Sequence, residues 1–254
     1  MENKNPIQVA DRLFGALELL AEHGDMGLVE VSEMLGLNKS TAHRVLNSLI
    51  YMGYARQNKE NGRYEPTLKT VATANKIMGR IDVIQTVRPY LRRLMEMSGE
   101  TVHFVRLEGD EAVYIDKVEA PGNGVQMVSR IGSRLPLYCS GVGKAMLARM
   151  GDQEVSEIWE HSNVRALTEH TITDYERFQE EIHEIRRRGY ALDNEENEVG
   201  VRCIATAFET PAADGRYAFS ISAPAGQMND ERIRELAGYI LKIKAELMKG
   251  AVGK

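Results

Sequence analysis

The chain of 254 residues is 43% hydrophobic and 27% charged, which is enough for real cores in a soluble protein of one or two domains. It has no apolar run of about eighteen residues and no basic-then-apolar N-terminus, so we expect neither a membrane span nor a signal peptide. Two cysteines, Cys139 and Cys203, do not make a disulfide framework, and we expect a reduced, cytoplasmic protein.

The net charge of −5 is distributed unevenly along the chain. Residues 1–37 carry seven acidic side chains and two basic ones, whereas residues 38–63 carry five basic ones against Glu60 alone. The five are Lys39, Arg44, Arg56, Lys59 and Arg63. A local basic surface is what contact with phosphates requires, so the acidic total does not exclude a nucleic-acid partner. On charge alone, a solvated surface would be the simpler interpretation.

Apolar residues at helical spacing predict an amphipathic first helix that ends in the segment EHGDMG, residues 22–27. These apolar residues are Val9, Leu13, Ala16, Leu17 and Leu20. We expect this helix to pack as a scaffold behind the elements that follow it.

The stretch from Leu28 to Met52 predicts a short helix, a sharp turn at Gly36 and a longer helix capped by Asn38. One face of the longer helix is apolar, through Ala42, Val45, Leu46 and Leu49. This is a helix-turn-helix pattern. The opposite face carries side chains suited to a DNA major groove, namely Lys39, Ser40, Thr41, His43, Arg44 and Asn47.

Residues 54–66 predict a β-hairpin, with Asn61-Gly62 as its turn because both residues tolerate positive φ. A helix-turn-helix followed by a basic hairpin is the winged-helix arrangement. Its basic side chains, Arg56, Lys59 and Arg63, would bring the wing to a phosphate backbone or a minor groove. A plain surface hairpin is the alternative, and its position directly after the recognition helix favours the wing.

Residues 67–80 predict a linker helix with an apolar face of Leu68, Val71, Ala72 and Met78. Residues 82–97 predict a further helix that either begins near Pro89 or is kinked there. We therefore expect three regions: a winged helix-turn-helix domain over residues 1–66, a linker helix over 67–80, and a second domain over 81–254.

From Glu100 the hydrophobic period changes from helical to alternating, first in a hairpin around Gly109-Asp110. Further strands are predicted at Gln126–Ile131 and at residues 190–192, 203–210 and 216–222. Helices are predicted at residues 140–150, 153–161, 175–188 and 230–249. Strands mixed with helices in this way indicate an α+β second domain.

The segment Gly141-Val142-Gly143-Lys144 invites comparison with a phosphate-binding loop. The Walker pattern fails, because Tyr138 stands at the place of its first glycine and Ala145 at that of its hydroxyl residue. Two interpretations remain open. The glycines either present backbone N–H groups to a small anion at a helix N-terminus, or only allow close packing.

Other candidate residues carry no assignment by themselves. The acidic run of residues 193–198 is typical of a solvated loop, and Cys203 lies in an apolar strand where a buried, inert thiol is the default. Ser220 and Ser222 face the same side of a strand. A catalytic Cys-His or Ser-His-Asp set has no support. His103, Asp193 and Cys203 match no compact metal-ligand motif, so we expect no metal site and no cofactor.

Taken together, these residues resemble the IclR family of bacterial transcriptional regulators over nearly the whole chain. The resemblance rests on the segments LNKSTAHRVLNSLIYMGY, SGETVH, SRIGSRLPLYCSGVGKAMLA, RRRGYALDNEENEVGVRCIA and SISAP. The wording SRIGSRLPLY and DNEENEVGVRC is closest to members that respond to sugar acids from pectin breakdown.

The resemblance implies a winged helix-turn-helix, a linker helix and a GAF-like α+β effector-binding domain. It implies binding of double-stranded operator DNA by dimers or dimers of dimers, with a small organic acid altering that binding. Family effector contacts fall on matching positions of this chain, namely Gly141, Val142, Asp193, Cys203, Ser220 and Ser222. Val142 stands where a smaller alanine is common in the family, which would change the size of the pocket.

We therefore expect a non-catalytic, effector-responsive DNA-binding regulator, with a 2-keto-3-deoxy sugar acid as one candidate effector. The alternative is an enzyme of small-acid metabolism that carries a DNA-binding domain. The absence of a base–nucleophile pair disfavours this enzyme. A pure protein-interaction module is disfavoured by the basic segment of residues 38–63.

Overall fold

The computed structural model describes residues 5–80, 82–120, 129–209 and 216–251. The chain folds into two compact units, and the division between them falls after Arg80. Among the described helices, none combines the length and the apolar content that a membrane span requires.

The first unit contains four helices and a two-stranded hairpin in its described residues. In chain order they are α1 (Gln8–His23), α2 (Leu28–Met34), α3 (Lys39–Tyr51), β1 (Ala55–Gln57), β2 (Tyr64–Pro66) and α4 (Lys69–Met78). Helices α1, α2 and α3 pack around one hydrophobic core, and the hairpin closes against it. The order of these elements is that of a winged helix-turn-helix.

Helix α1 contributes the scaffold that its hydrophobic spacing predicts. Ala16 and Leu20 are fully buried, and Leu13 and Leu17 are partly buried against the same core. Val9 was predicted to point inward, but its side chain is 56% exposed. Val9 lies in the first turn of α1, and this turn extends beyond the hydrophobic core. The helical period predicts which face Val9 occupies, but it does not predict whether another element packs against that face.

The turn between α2 and α3 is held by local backbone chemistry. Gly36 has φ of +61°, a conformation that costs glycine little. The Asn38 side chain accepts a hydrogen bond from the Thr41 N–H at 2.8 Å, so it caps α3 as predicted. The Ser32 hydroxyl donates to the Leu37 carbonyl at 2.7 Å, which ties the end of α2 to the start of α3.

The hairpin pairs Ala55 with Pro66 and Gln57 with Tyr64 in antiparallel register. Its loop runs over residues 58–63 and is longer than the two-residue turn that Asn61-Gly62 suggested. Of that pair only Gly62 has positive φ, at +71°. The Asn61 side chain instead accepts from the Arg63 N–H at 2.9 Å, which supports a wider loop.

Helix α4 differs from the other helices of the first unit, because none of its residues is buried within the described protein. Its apolar side chains are largely exposed, with Val71 at 51% and Ile77 at 59%, and Leu68 at its N-cap is 80% exposed. Lys69 at its start donates to the Met52 carbonyl at 2.5 Å and lies over the Tyr54 ring, which joins the helix to the end of α3.

The second unit mixes helices and one sheet, as expected for an α+β domain. Its helices are α5 (Asp82–Ser98), α6 (Gly141–Leu147), α7 (Asp152–His161), α8 (Tyr175–Arg188) and α9 (Asp230–Ala251). Its strands are β3 (Thr101–Glu108), β4 (Glu111–Val118), β5 (Arg134–Pro136), β6 (Ala191–Asn194), β7 (Val201–Glu209) and β8 (Arg216–Pro224).

The six strands form an antiparallel sheet in the order β5-β4-β3-β8-β7-β6. Neighbouring residues of a strand point to opposite faces. Thr206 of β7 meets Lys244 of α9 at 3.1 Å, whereas Ala205 and Ala207 pack in the core that contains α6 and α8. The sheet therefore separates a layer of α5 and α9 from a layer of α6, α7 and α8.

Several boundaries differ from the predictions. Helix α5 begins at Asp82 and continues through Pro89, so the alternative of a helix that begins near the proline is wrong. Half of the strand predicted at Gln126–Ile131 lies outside the described residues, and the other half, residues 129–131, forms no strand. Strand β5 was not predicted, because its three residues are too few for an alternating pattern.

Candidate functional site

Helix α3 presents the predicted polar face to solvent. Lys39, Ser40, His43, Arg44 and Asn47 are exposed, and Thr41 is half-buried. Most of their polar groups remain available, since the contacts within this set are local: Ser40 donates to Asn38, and Asn47 approaches His43 at 3.4 Å. The arrangement is that of a helix face able to contact base edges.

The basic side chains of residues 38–63 fall into two groups. Within the described structure Lys39, Arg44 and Lys59 have no carboxylate partner. Arg56 pairs with Glu65 across the hairpin at 2.7 Å, with 71% of its own side chain exposed. Arg56 can therefore reach a phosphate at the modest cost of an exposed ion pair.

Arg63 is engaged inside the first unit. Its guanidinium pairs with Asp25 at 3.0 Å and with Glu30 at 2.8 Å, and it donates to the Asp25 carbonyl. Glu30 also accepts from the Gly27 N–H at 2.7 Å at the start of α2; that bond and Arg63 lower the pKa of this carboxyl group. The contacts thus give Arg63 a structural role, holding the hairpin to α2. Sequence reasoning saw its charge without its partners.

Arg12 is a residue that sequence reasoning missed. It lies on α1 and lines a groove together with Thr41, Arg44 and Asn47 of α3. The groove places a further guanidinium beside Arg44. The sequence predicts that Arg12 lies on the scaffold helix α1, but its position along the chain does not show that it lies beside the recognition helix α3.

The second unit contains a cavity of about 200 Å³ between the start of α6 and one face of the sheet. All six residues that the resemblance implies for effector contact line it: Gly141, Val142, Asp193, Cys203, Ser220 and Ser222. Further polar residues line it that were not predicted as effector contacts, including His103, Tyr114, Ser129, Ser133, Arg134 and Ser140.

Strand register explains how distant residues meet in this cavity. Asp193 of β6 pairs with Cys203 of β7, and Cys203 pairs with Ser222 of β8. Ser220 of β8 pairs with His103 of β3. Residues paired in register point to the same face of a sheet, so the cavity floor is a set of cross-strand neighbours.

The two glycines of α6 have different roles. A Cβ atom on Gly143 would lie 2.4 Å from the Leu137 backbone, so this glycine allows close packing. On Gly141 it would meet Asp193 and Ala205 only at about 3.4 Å, and Gly141 lines the cavity. Ser140 caps the helix by accepting from the Gly143 N–H at 3.2 Å. The packing interpretation therefore holds for Gly143, and the interpretation as an anion contact stays a prediction for Gly141.

We expect Gly143→Ala to destabilise the second unit by about 1–3 kcal/mol or more, because the added methyl group overlaps main-chain atoms that cannot rotate away. Urea unfolding followed by circular dichroism measures the loss. Gly141→Ala is the matched control and should unfold near the wild-type midpoint. Equal stability of the two variants would contradict the packing role of Gly143.

Burial sets the charges around the cavity. Burial raises the pKa of Asp193 to about 7, opposed by the Glu196 N–H that its Oδ1 accepts at 2.8 Å and by the charge of Lys144. Burial also raises the pKa of Cys203, which therefore carries a neutral thiol. Lys144 is fully buried and pairs with Glu196, with Glu181 3.8 Å away.

His103, Asp193 and Cys203 do line one cavity, but they do not form a metal centre. Across the described residues, no group of three or more His, Cys, Asp and Glu side chains is placed to hold a metal ion. His103 instead binds two hydroxyl groups, those of Ser222 and Ser129.

Comparison with known proteins assigns the family. Residues 9–59 match the IclR helix-turn-helix domain, and residues 75–247 match the bacterial transcriptional regulator IclR C-terminal domain. The chain belongs to the IclR family of transcriptional regulators. Among IclR-family relatives, the HTH-type transcriptional regulator KdgR of Escherichia coli K12 is 34% identical over 94% of this chain and 91% of its own length.

Solved IclR-family structures share the fold. The IclR protein of Thermotoga maritima superposes with a TM-score of 0.81 at 30% identity, covering 95% of this chain and 98% of that one. An IclR homologue from Microbacterium hydrocarbonoxydans, complexed with 4-hydroxybenzoate, gives a TM-score of 0.77 at 20% identity, covering 94% and 99%. The second likeness concerns the fold alone.

Proposed function

We propose that this regulator binds operator DNA through α3 and the hairpin β1–β2, and that a small hydroxylated organic acid in the cavity modulates that binding. The observation that carries the proposal is that one cavity is lined by all six implied effector residues. Residues 1–66 form the DNA-binding domain in this proposal, residues 67–80 the linker and residues 81–254 the effector-binding domain. A cytoplasmic repressor is the form of regulator that we favour.

The chemistry of the cavity supports an acid as the ligand. Gly141 and Val142 stand in the first turn of α6, where backbone N–H groups have no partner within the helix. Ser220 and Ser222 add hydroxyl donors from one strand face. Donors of this kind suit a carboxylate. Asp193 is unfavourable beside that carboxylate and suits hydroxyl groups elsewhere on the ligand, which a sugar acid such as a 2-keto-3-deoxy acid possesses.

A thermal-shift screen of small carboxylates and sugar acids tests the effector. A ligand at a hundredfold its Kd should stabilise the protein by about 2.7 kcal/mol. A chemical assay of the same compounds separates the regulator from the alternative of a small-acid-metabolising enzyme. Turnover of a stabilising acid would favour the enzyme, whereas binding without turnover supports the regulator.

We expect Arg44→Ala to weaken operator binding, since Arg44 is exposed on the recognition face and has no carboxylate partner in the described structure. Loss of a base contact should cost about 1–3 kcal/mol at one operator position, whereas loss of a phosphate contact should weaken all sequences alike and reduce the salt dependence. Binding titrations at several salt concentrations distinguish the two. Arg63→Ala serves as a comparison, because its effect should appear in stability. Unchanged operator affinity in Arg44→Ala would refute the placement.

We also expect a homodimer or homotetramer, because one recognition helix covers few base pairs and a two-fold protein matches a palindromic operator. The exposed apolar face of α4, with Leu68, Val71 and Ile77, is the surface we assign to self-association. Light scattering at micromolar concentration measures the state. Val71→Glu should weaken association, and Thr70→Glu is the control on the same helix. A monomer with full operator affinity would contradict the prediction.

A further inference from the structure

His103 lies at the middle of a hydrogen-bond chain along the cavity wall. Its side chain is buried, with Nδ1 3.1 Å from the Ser222 hydroxyl and Nε2 2.7 Å from the Ser129 hydroxyl. The ring packs against Tyr114 with 5.1 Å between centroids. Both ring nitrogens therefore contact a hydroxyl group, and these contacts hold the ring in place.

The ring of His103 is neutral. Burial, together with the nearby charge of Lys117, lowers its pKa to about 3. A neutral imidazole has one N–H and one lone pair, so one of its two contacts is a donated hydrogen bond and the other is an accepted one. The two serines at its ends must therefore have opposite roles.

The tautomer of His103 decides what Ser222 can offer to a ligand. If Nε2 carries the proton, Nδ1 accepts the Ser222 proton, and the ligand meets only an oxygen lone pair. If Nδ1 carries the proton, it donates to the Ser222 oxygen, and the Ser222 O–H is left to donate elsewhere. Ser220 lies 3.5 Å from the Ser222 oxygen, at the limit of a hydrogen bond, so a ligand oxygen can compete for that proton.

Lys117 selects between the two tautomers. Its ammonium group lies 3.5 Å from the carbonyl oxygen of Ser129, the residue whose hydroxyl contacts Nε2. Lys117 is also the register partner of His103 on β4, whereas Ser222 approaches from β8 on the other side of β3. The positive charge therefore lies on the side of the ring away from Ser222, whose hydroxyl contacts Nδ1. Glu119 pairs with this ammonium group at 2.7 Å, but its own side chain is 65% exposed, so water screens the carboxylate more than the cation. A positive charge favours a lone pair over an N–H at the nearer nitrogen, which places the proton on Nδ1.

We propose that His103 is a positioning residue that sets effector specificity: its Nδ1–H holds the Ser222 oxygen, so that Ser222 donates its proton to an acceptor oxygen of the effector. This inference rests on the proposed function and deepens it. The effector should therefore present a carboxylate or keto oxygen at Ser222, which accepts the Ser222 proton. A ligand hydroxyl group that has to donate its own proton to Ser222 would fit less well.

Nitrogen NMR of the full-length protein with ¹⁵N-labelled histidine tests the tautomer. The His103 resonances are identified among the six histidines by their absence in His103→Asn. We expect a protonated Nδ1, a bare Nε2 and no further protonation down to about pH 5. A protonated Nε2, or a ring that becomes cationic above that pH, overturns the inference.

Titration with 2-keto-3-deoxygluconate, followed by calorimetry, tests the role. His103→Leu should raise the Kd about 5- to 100-fold, since Ser222 loses the group that orients its proton. His103→Asn should recover most of the affinity, because its side-chain NH₂ can donate to Ser222. Should His103→Leu fail to fold, His103→Asn and the NMR result still decide. His183→Asn, at an exposed histidine on α8, should bind like the wild type.

A double-mutant cycle shows whether His103 acts through Ser222. In a Ser222→Ala background, His103→Leu should cause little further loss of affinity. Additive losses would assign His103 a merely structural role and overturn the inference. If the wild type fails to bind 2-keto-3-deoxygluconate, the proposed sugar-acid effector falls and this inference with it. If the wild type binds and His103→Leu binds equally well, only the inference falls.

Discussion

Lys144→Met is expected to destabilise the second unit by about 3–5 kcal/mol, because it leaves the buried Glu196 carboxylate without its counter-ion. Lys144 is 1% exposed and Glu196 is 4% exposed, so water cannot replace the lost ion pair. The loss should appear as a lower urea midpoint in the fluorescence of Trp159. This single tryptophan packs 4.4 Å from Phe178 in the same unit, so it reports on the core beside the ion pair.

The loss should depend on pH. Burial raises the pKa of Glu196 and the charge of Lys144 opposes that rise, so removing Lys144 raises it further. A carboxyl group with a raised pKa in the folded state stabilises the fold below its unfolded pKa, and this stabilisation disappears as pH rises through the folded value. The deficit of Lys144→Met relative to the wild type should therefore be smaller at about pH 5 than at about pH 8.

Two controls accompany this variant. Arg187→Met removes an exposed ion pair with Glu184 and should cost no more than about 1 kcal/mol. Lys144→Met combined with Glu196→Leu removes both buried charges and should recover much of the loss, because well-packed apolar residues can replace a buried pair. A double variant no more stable than Lys144→Met would show that the ion pair is not the origin of the effect.

The buried pair also links the cavity to its surroundings. Asp193 accepts backbone N–H bonds from Glu196 and Asn197, and the Glu196 side chain continues to Lys144 of α6. On the other side, the hydroxyl group of Thr171 donates to the Glu196 carbonyl at 2.6 Å. Glu195 in the same turn is the one non-glycine residue with positive φ in the described chain, at 60°. Strain of this kind tends to mark functional sites.

The periodicity of hydrophobic residues in the sequence predicted most of the helices and strands. The inward residues predicted for the last helix, from Ile233 to Ile243, are all buried in α9. Asn38 caps α3 because capping depends only on near neighbours in the chain. Strands β7 and β8 begin and end within about two residues of the predicted limits in the described range.

What sequence could not supply are pairings between distant residues. Arg63 pairs with Glu30, which is 33 positions away in the sequence, and Lys144 pairs with Glu196, which is 52 positions away. Each charge looks free until strands and helices bring the partner close. His103 was considered only as a metal ligand, since its two hydroxyl partners become visible only with strand register and the approach of Ser129. The same register is what brings Asp193 beside Cys203 and Ser222.

Asp193→Ala is expected to abolish the response of operator binding to the effector, because it removes the buried carboxyl group that we propose as a ligand contact. Losing one buried hydrogen-bond partner costs about 1–3 kcal/mol, and more where charge is involved. Operator binding by the free protein should stay near normal, since Asp193 belongs to the second unit. Gel-shift titrations with and without ligand measure both quantities. An Asp193→Ala protein that responds like the wild type would place the pocket elsewhere.

Asp193→Asn distinguishes two ways in which this carboxyl group can serve an acid. Because burial raises the pKa of Asp193 to about 7, the group can take up a proton when a carboxylate ligand arrives. Wild-type affinity for the acid should then increase as pH falls through about 7, with proton uptake on binding. Asparagine is neutral at every pH and can still accept the Glu196 N–H, so Asp193→Asn should bind the acid without that pH dependence.

The other way is that ionised Asp193 accepts hydrogen bonds from ligand hydroxyl groups, in which case Asp193→Asn should bind weakly at all pH values. Calorimetry in buffers of different ionisation enthalpy counts the protons directly. Effector and operator affinities are linked, so operator DNA should change effector affinity by the same factor as the effector changes operator affinity. If the effector alters operator binding while operator DNA leaves the affinity of this cavity for the effector unchanged, the coupled site lies elsewhere. Wild-type affinity that is independent of pH would show that Asp193 does not take up a proton when the acid binds.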